Sequence, residues 1–222
     1  MKILKHQLWH FLSLIVLLTG IYFYLENDTT LLQGALWEIP TSTWFLIAIL
    51  SPILHQVYVV VGWRLELFYQ SFSKAFGVNA FLIFKIGFAI LIFSRILTIT
   101  LLAISSANTL SIDPTFAYLI AGLLFIPAVY LFYSVKKYFG IDRAYGIDHF
   151  HPEEYRNVPF VKKGIFKYSS NGMYIFGLLI LWVPGFLLLS KAAILVAFFN
   201  HIYIWVHYYF TELPDIKVIY EK

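Results

Sequence analysis

The stretch MYIFGLLILWVPGFLLLSKAAILVAFFNHIYIWVHYYF, residues 173–210, decides the architecture. It consists of two apolar runs, about 173–189 and 192–210, interrupted at Ser190-Lys191. Each run is near the roughly 20 helical residues that cross about 30 Å of hydrocarbon. The pair therefore reads as a membrane helical hairpin. Outward from it, four more apolar segments lie at about 7–25, 42–63, 80–103 and 115–135. The expected fold is all-α, a polytopic membrane helix bundle with about six hydrophobic segments, five to six of them transmembrane helices. Residues 1–135 form a four-helix scaffold. Residues 136–222 supply a polar loop, the hairpin and a tail.

Composition agrees. The 222 residues are 60% hydrophobic, 20% aromatic and 13% charged, against roughly a quarter charged in soluble domains. Mean hydropathy is +0.77. With no Cys there is no disulfide framework, no thiolate zinc site and no thiol nucleophile. No strand–helix alternation and no G-x-G-x-x-G occur, which excludes a soluble dinucleotide-binding or Rossmann-type domain.

Charge sets the orientation. Thirteen of the 16 basic residues fall in connections on one side: Lys2, Lys5, Arg64, Lys74, Lys136, Lys137, Arg143, Arg156, Lys162, Lys163, Lys167, Lys217 and Lys222. The opposite loops, about 26–41 and 104–114, have none. Positive loops face the cytoplasm, so both termini and every polar stretch of interest are expected there. The net charge of +4 is thus a topological signal rather than a sign of nucleic-acid binding. The first segment leaves through IYFYLEND, which lacks a small-residue cleavage site and reads as a retained anchor.

Two polar patches flank the hairpin: GIFKYSSNGMYIFG (164–177) and HYYFTELPDIKVIY (207–220). Along the C-terminal helix that runs into the second, His201, Trp205, Tyr208 and Glu212 recur at helical spacing and line one face, with Asn200, His207 and Thr211 beside it. Pro214 is expected to limit that helix. Imidazole, phenol and carboxylate groups in a column suit a cationic ligand, although Tyr and Trp also gather at membrane interfaces for packing alone. In the first patch, Asn171 and Tyr174 can face one site, while Ser169, Ser170 or Asn171 can equally be a helix N-cap. Upstream, GIDRAYGIDHFHPEEY (140–155) gathers carboxylates and imidazoles without a standard zinc spacing, so no metal is expected. Headgroup contacts through Arg143 and His149, or internal pairing, are the better readings, and the 136–172 loop is read as an ordered lid. Within the apolar segments, Lys85 can snorkel. Arg95 is deeper, at a cost of roughly 2.5 kcal/mol or more, and must face protein, water or a lipid phosphate. His55 and Gln56 can bond between helices; His55 and Arg95 are read equally as structural or as lining a substrate cavity.

Together the flanking patches resemble the integral-membrane methyltransferases, the phosphatidylethanolamine N-methyltransferases and isoprenylcysteine carboxyl methyltransferases. Gly164, Phe166, Lys167, Tyr168, Asn171, Met173, Tyr174 and Gly177 fit the family's first pattern; His207, Glu212, Pro214, Ile219 and Tyr220 fit its second. Ser170 and Gly172 stand where Arg and Pro are common, and Leu213 replaces the second Glu of an acidic pair. The resemblance implies S-adenosylmethionine bound at the cytoplasmic face by Gly164, Lys167, Tyr168, Asn171, Tyr174, Gly177, His207, Tyr208 and Glu212. It also implies a lipophilic acceptor, a phospholipid amine favoured, entering from the bilayer. His207, Glu212 and His201 are candidates to take the proton an amine acceptor must shed. The alternatives are a carboxyl methyltransferase, an NADPH-dependent membrane sterol or enone reductase, and a non-enzymatic transporter or scaffold. The reductase needs positive groups for a 2′-phosphate, which the short acidic tail does not favour. The transporter leaves the clustered polar groups without a use and lacks visible inverted repeats. The oligomeric state is not written in the sequence.

Overall fold

The computed structural model describes residues 2–28 and 30–220; Lys222, counted above with the basic connections, lies outside them. Helices α1 (Gln7–Asn27) and α2 (Thr41–Tyr69) are followed by a short α3 (Ser71–Phe76), then α4 (Ala80–Ser105) and α5 (Pro114–Ser134). The long connection folds into short pieces, among them α6 (Ile141–Ala144) and α7 (Pro152–Tyr155). The hairpin follows as α8 (Gly172–Phe176), a 3-10 stretch Gly177–Leu181, α9 (Val183–Leu187), α10 (Lys191–His207) and α11 (Leu213–Tyr220). A two-stranded antiparallel ribbon, Ala35–Leu36 with Ile39–Pro40, closes the connection between α1 and α2.

Five rods are long and apolar enough to cross a membrane: Gln7–Asn27, Thr41–Tyr69, Ser71–Ser105, Pro114–Phe139 and Lys191–Tyr220. The expected sixth segment is a shorter apolar element, Gly172–Leu187. Its sequence explains the irregularity. Pro184 lacks an N–H, and Gly177 and Gly185 admit close neighbours: a Cβ on either would come within 2.7 Å of Leu131 or Ile194. Regular helix is exchanged for tight packing on α5 and α10.

Local signals set the other boundaries. Pro114 begins α5, where its missing N–H costs nothing, and the Asp113 carboxylate accepts from Phe116 N–H at 3.0 Å. The hairpin breaks at Ser190 because its hydroxyl caps α10, accepting from Ala193 N–H at 3.1 Å. The Ser190 hydroxyl also pairs with that of Ser106 at 2.7 Å, pinning the hairpin turn to the end of α4.

Helices α2, α4 and α10 form the centre. Ala48, Ile49, Ile99, Leu102, Ala103, Val196, Ala197 and Phe199 make the shared core. Helices α1 and α5 lie outside and keep Phe11, Val16, Phe23, Leu119, Leu123 and Ile126 exposed, as lipid-facing residues must be. A second cluster binds the long connection to the bundle: Phe150 packs among Val59, Trp63, Ala80, Phe84 and Phe88. The lid reading of 136–172 meets an ordered segment seated on α2 and α4.

One expectation is overturned. Pro214 does not end the last helix; α10 runs through a π-helical turn, Tyr208–Glu212, into α11 and on to Tyr220. Proline removes the N–H that would have paired four residues back, at Phe210. That carbonyl finds other donors: Gln7 Nε2 at 3.1 Å and Arg64 Nη2 at 3.2 Å. The accounting demanded of a buried carbonyl is met from α1 and α2, so the rod survives its proline.

Candidate functional site

The π turn matters because it re-aims side chains at the end of α10, and such turns recur at functional sites. Glu212 closes it. Its carboxylate accepts from the Tyr174 hydroxyl at the start of the hairpin. Around this pair, Tyr174 meets Trp205 at 5.8 Å and Tyr208 at 5.3 Å between ring centroids, and Trp205 meets Tyr208 edge-on at 5.8 Å. The Asn171 side chain lies against the Tyr208 hydroxyl. One carboxylate behind three aromatic faces and an amide makes a cradle for a cation: the rings stabilise positive charge through their quadrupoles, and Glu212 pairs with it.

Next to it a second constellation is built by the long connection. His149 is buried and stacks on Trp63 of α2 at 4.2 Å. Gly146 makes the stacking possible: at φ +85° it turns the chain under the indole, and a Cβ there would sit 2.2 Å from Trp63 Nε1. Nδ1 of His149 pairs with Asp148 at 3.0 Å, and Tyr220 donates to the other Asp148 oxygen at 2.8 Å. Arg143 donates to the Tyr220 hydroxyl at 3.3 Å and lies over the rings of Phe139, Tyr155 and Tyr220. Burial disfavours a charged imidazole here, yet the carboxylates of Asp148, Asp215 and Glu212 outweigh it and raise His149 above its ordinary value. Asp148 is likewise disfavoured by burial, but His149, Tyr220 and Arg143 hold it below the usual carboxylate value. His149 Nε2 has no hydrogen-bond partner among the described residues. This is the arrangement of an oriented base: one ring nitrogen is fixed by a carboxylate, and the other makes no hydrogen bond and lies 3.9 Å from Asp215 Oδ2.

Asp215 ties the site to the scaffold. Arg64 Nε donates to both Asp215 oxygens, at 3.1 and 3.2 Å, and Nη1 reaches the carbonyls of Ile3 and Lys5 at 2.8 and 2.7 Å. Thus Arg64, expected on the exposed basic face, is instead a buried junction joining the N-terminal segment, α2 and the start of α11. It also brings the two ends of the chain to one end of the bundle.

Against known families, residues 116–222 match the family model described as phospholipid methyltransferase. That match spans 107 of the 222 residues and supports the resemblance of the flanking patches to the integral-membrane methyltransferases. No curated protein and no solved structure gives a significant match.

Within the matched region the expected residues separate. Asn171, Tyr174, Tyr208 and Glu212 come together as described. Gly164 and Gly177 serve packing: Gly164 sits at φ +60° against Ser134 and Tyr138, and Gly177 against Leu131. Lys167 and Tyr168 are exposed and line a surface cleft of about 360 Å³ with Phe160 and Phe166. Arg143 lines a larger open cleft of about 650 Å³ that also takes in Lys85 and Lys136; Lys85 pairs there with Asp142. His201 accepts from Trp182 Nε1 at 3.2 Å, about 16 Å along the helix axis from Glu212. His207 turns the other way, towards Trp63 at 5.8 Å and His10 at 6.0 Å. Among the described residues no three His, Asp or Glu side chains gather as a metal site.

Deeper in the bundle, Arg95 donates from Nε to Asn200 Oδ1 at 2.8 Å, and its Nη1 lies 3.3 Å from His55 Nδ1. Both residues face protein. Trp63 and His10 were not singled out from the sequence: both lie in or at the edge of apolar runs and look like packing residues. Asp148 was legible only as part of the carboxylate–imidazole cluster, and Gln56 only as a group that can bond between helices.

Proposed function

We propose that this protein is an S-adenosylmethionine-dependent methyltransferase that methylates the amine of a phospholipid, with its site at the cytoplasmic face. The Glu212–Tyr174 pair inside the Tyr174, Trp205 and Tyr208 cluster carries this reading, because it fits both positive charges of the cofactor. Glu212 would pair with the ammonium of the methionine moiety, the rings would cover the sulfonium, and Asn171 would donate to the carboxylate end. When bound, the cofactor supplies an electrophilic methyl group.

The chain's own part is alignment and proton management. In-line displacement needs reactants held in register and shielded from water more than it needs a strong catalyst. A protonated amine has no lone pair to attack with, so its proton must leave first. His149 Nε2 would take it while Asp148 stabilises the imidazolium. Tyr220 and Arg143 extend the pair towards the open cleft. A carboxylate acceptor would need no base, so the Asp148–His149 dyad favours an amine. The positive-inside pattern supports the cytoplasmic orientation.

The test is ligand-induced thermal stabilisation of the purified chain in detergent. S-adenosylhomocysteine should raise the melting temperature and NADPH should not. Stabilisation by NADPH alone would transfer the chain to the reductase reading.

A further inference from the structure

Seven buried side-chain nitrogen and oxygen atoms lack a hydrogen-bond partner among the described residues, and they belong to only six residues: His10, His55, Gln56, Arg95, His149 and His207. In a folded protein such atoms are rare and scattered; here contacts link His149, His207 and His10 into one group and His55 with Arg95 into another, with Gln56 next to His55 in α2. His149 stacks on Trp63, Trp63 meets His207, and His207 meets His10. His207 is also within electrostatic reach of His55 and Arg95. At the inner end, Arg95 is 1% exposed, keeps Nη2 unpaired and forms no salt bridge with a described carboxylate. Gln56 is 2% exposed, and neither atom of its amide is paired. The nearby carboxylates are engaged elsewhere, Asp215 with Arg64 and Glu212 with Tyr174. An arginine at mid-helix in a membrane is costly without a counter-charge, and the described residues supply none.

We propose that the Arg95, His55 and Gln56 layer holds an oxyanion of a bound ligand: the phosphodiester of the acceptor lipid or the carboxylate of the cofactor. Arg95 Nη2 and the Gln56 amide supply the donors, and the guanidinium supplies the charge. The choice of these two sources rests on the methyltransferase reading; the oxyanion site does not.

The experiment compares wild type, Arg95→Met and Gln56→Leu as detergent-purified full chains, measuring melting temperature against four probes: dihexanoyl phosphatidylethanolamine, dihexanoylglycerol, S-adenosylhomocysteine and phenyl phosphate. Wild type should respond to the phospholipid and not to the diacylglycerol. Loss of the phospholipid shift in Arg95→Met with the S-adenosylhomocysteine shift intact identifies the acceptor phosphate; the reverse identifies the cofactor carboxylate. Gln56→Leu, which removes no existing contact, should weaken the same ligand about tenfold, and it decides the matter if Arg95→Met does not fold. Full retention of both shifts in the folded variants means that water alone fills the layer, and the proposal falls. If neither the phospholipid nor S-adenosylhomocysteine stabilises wild type, the methyltransferase reading fails. The oxyanion site then stands only on a phenyl phosphate shift that the variants abolish, and its absence overturns the site as well.

Discussion

Arg64 and Arg95 are both 1% exposed, yet they live in opposite circumstances. Arg64 has a carboxylate on Nε and backbone carbonyls on both terminal nitrogens; Arg95 has one amide, one imidazole and a free nitrogen. The difference separates construction from readiness to bind. A fully satisfied buried charge holds elements together, and here it joins the N-terminal segment, α2 and α11. An unsatisfied one has been desolvated without compensation, which evolution tolerates where something else completes it.

The contrast can be broken most easily from the Arg64 side. Asp215→Ala leaves that guanidinium buried and unpaired, and it should destabilise the protein by about 3–5 kcal/mol, read as a melting-temperature drop in detergent. Arg95→Met should stay within about 1 kcal/mol of wild type without ligand, because the lost charge was poorly compensated. Equal losses in the two variants would remove the distinction. Glu212→Gln keeps shape and removes charge. It should weaken S-adenosylhomocysteine binding about 10- to 100-fold, the loss of a charge-assisted contact of roughly 1.5–3 kcal/mol, with little change in melting temperature. Gln7→Leu removes one of two donors to the Phe210 carbonyl and should cost about 1 kcal/mol.

The smallest effect is on pH dependence. His149 is raised from its ordinary 6.5, so its contribution to stability is complete below about 6.5 and fades as pH climbs through the folded-state value. Asp148 is lowered from 3.8, so its contribution is present above about 3.8 and fades as pH falls through its folded-state value. Melting temperature should therefore peak between those limits and decline on the alkaline side. His149→Gln should flatten the alkaline decline, and an unchanged slope would move the titration to another group.

Much of this was legible in the chain. Length and apolarity of the segments, the break at Ser190, the basic asymmetry and the residues Asn171, Tyr174, Tyr208 and Glu212 could all be read locally. Hydrocarbon thickness and helical periodicity act on consecutive residues. The irregular course of the sixth segment was not legible, because it follows from the packing demands of Gly177, Pro184 and Gly185 on neighbouring helices. Pro214 was misread because the missing hydrogen bond is replaced from 146 and 203 residues away, by Arg64 and Gln7.

The sequence by itself determined that this protein is a bundle of membrane-length helices, which follows from composition and spacing, and that the patches flanking its hairpin resemble those of the membrane methyltransferases, which follows from the matching residues. Only the tertiary structure decided which polar residues are partners. It placed His149 on Trp63, joined Arg64 to Asp215, sent His201 to Trp182 and left Arg95 without a counter-charge among the described residues. Whether a buried charge is paired depends on what distant helices bring to it, and no local pattern carries that information.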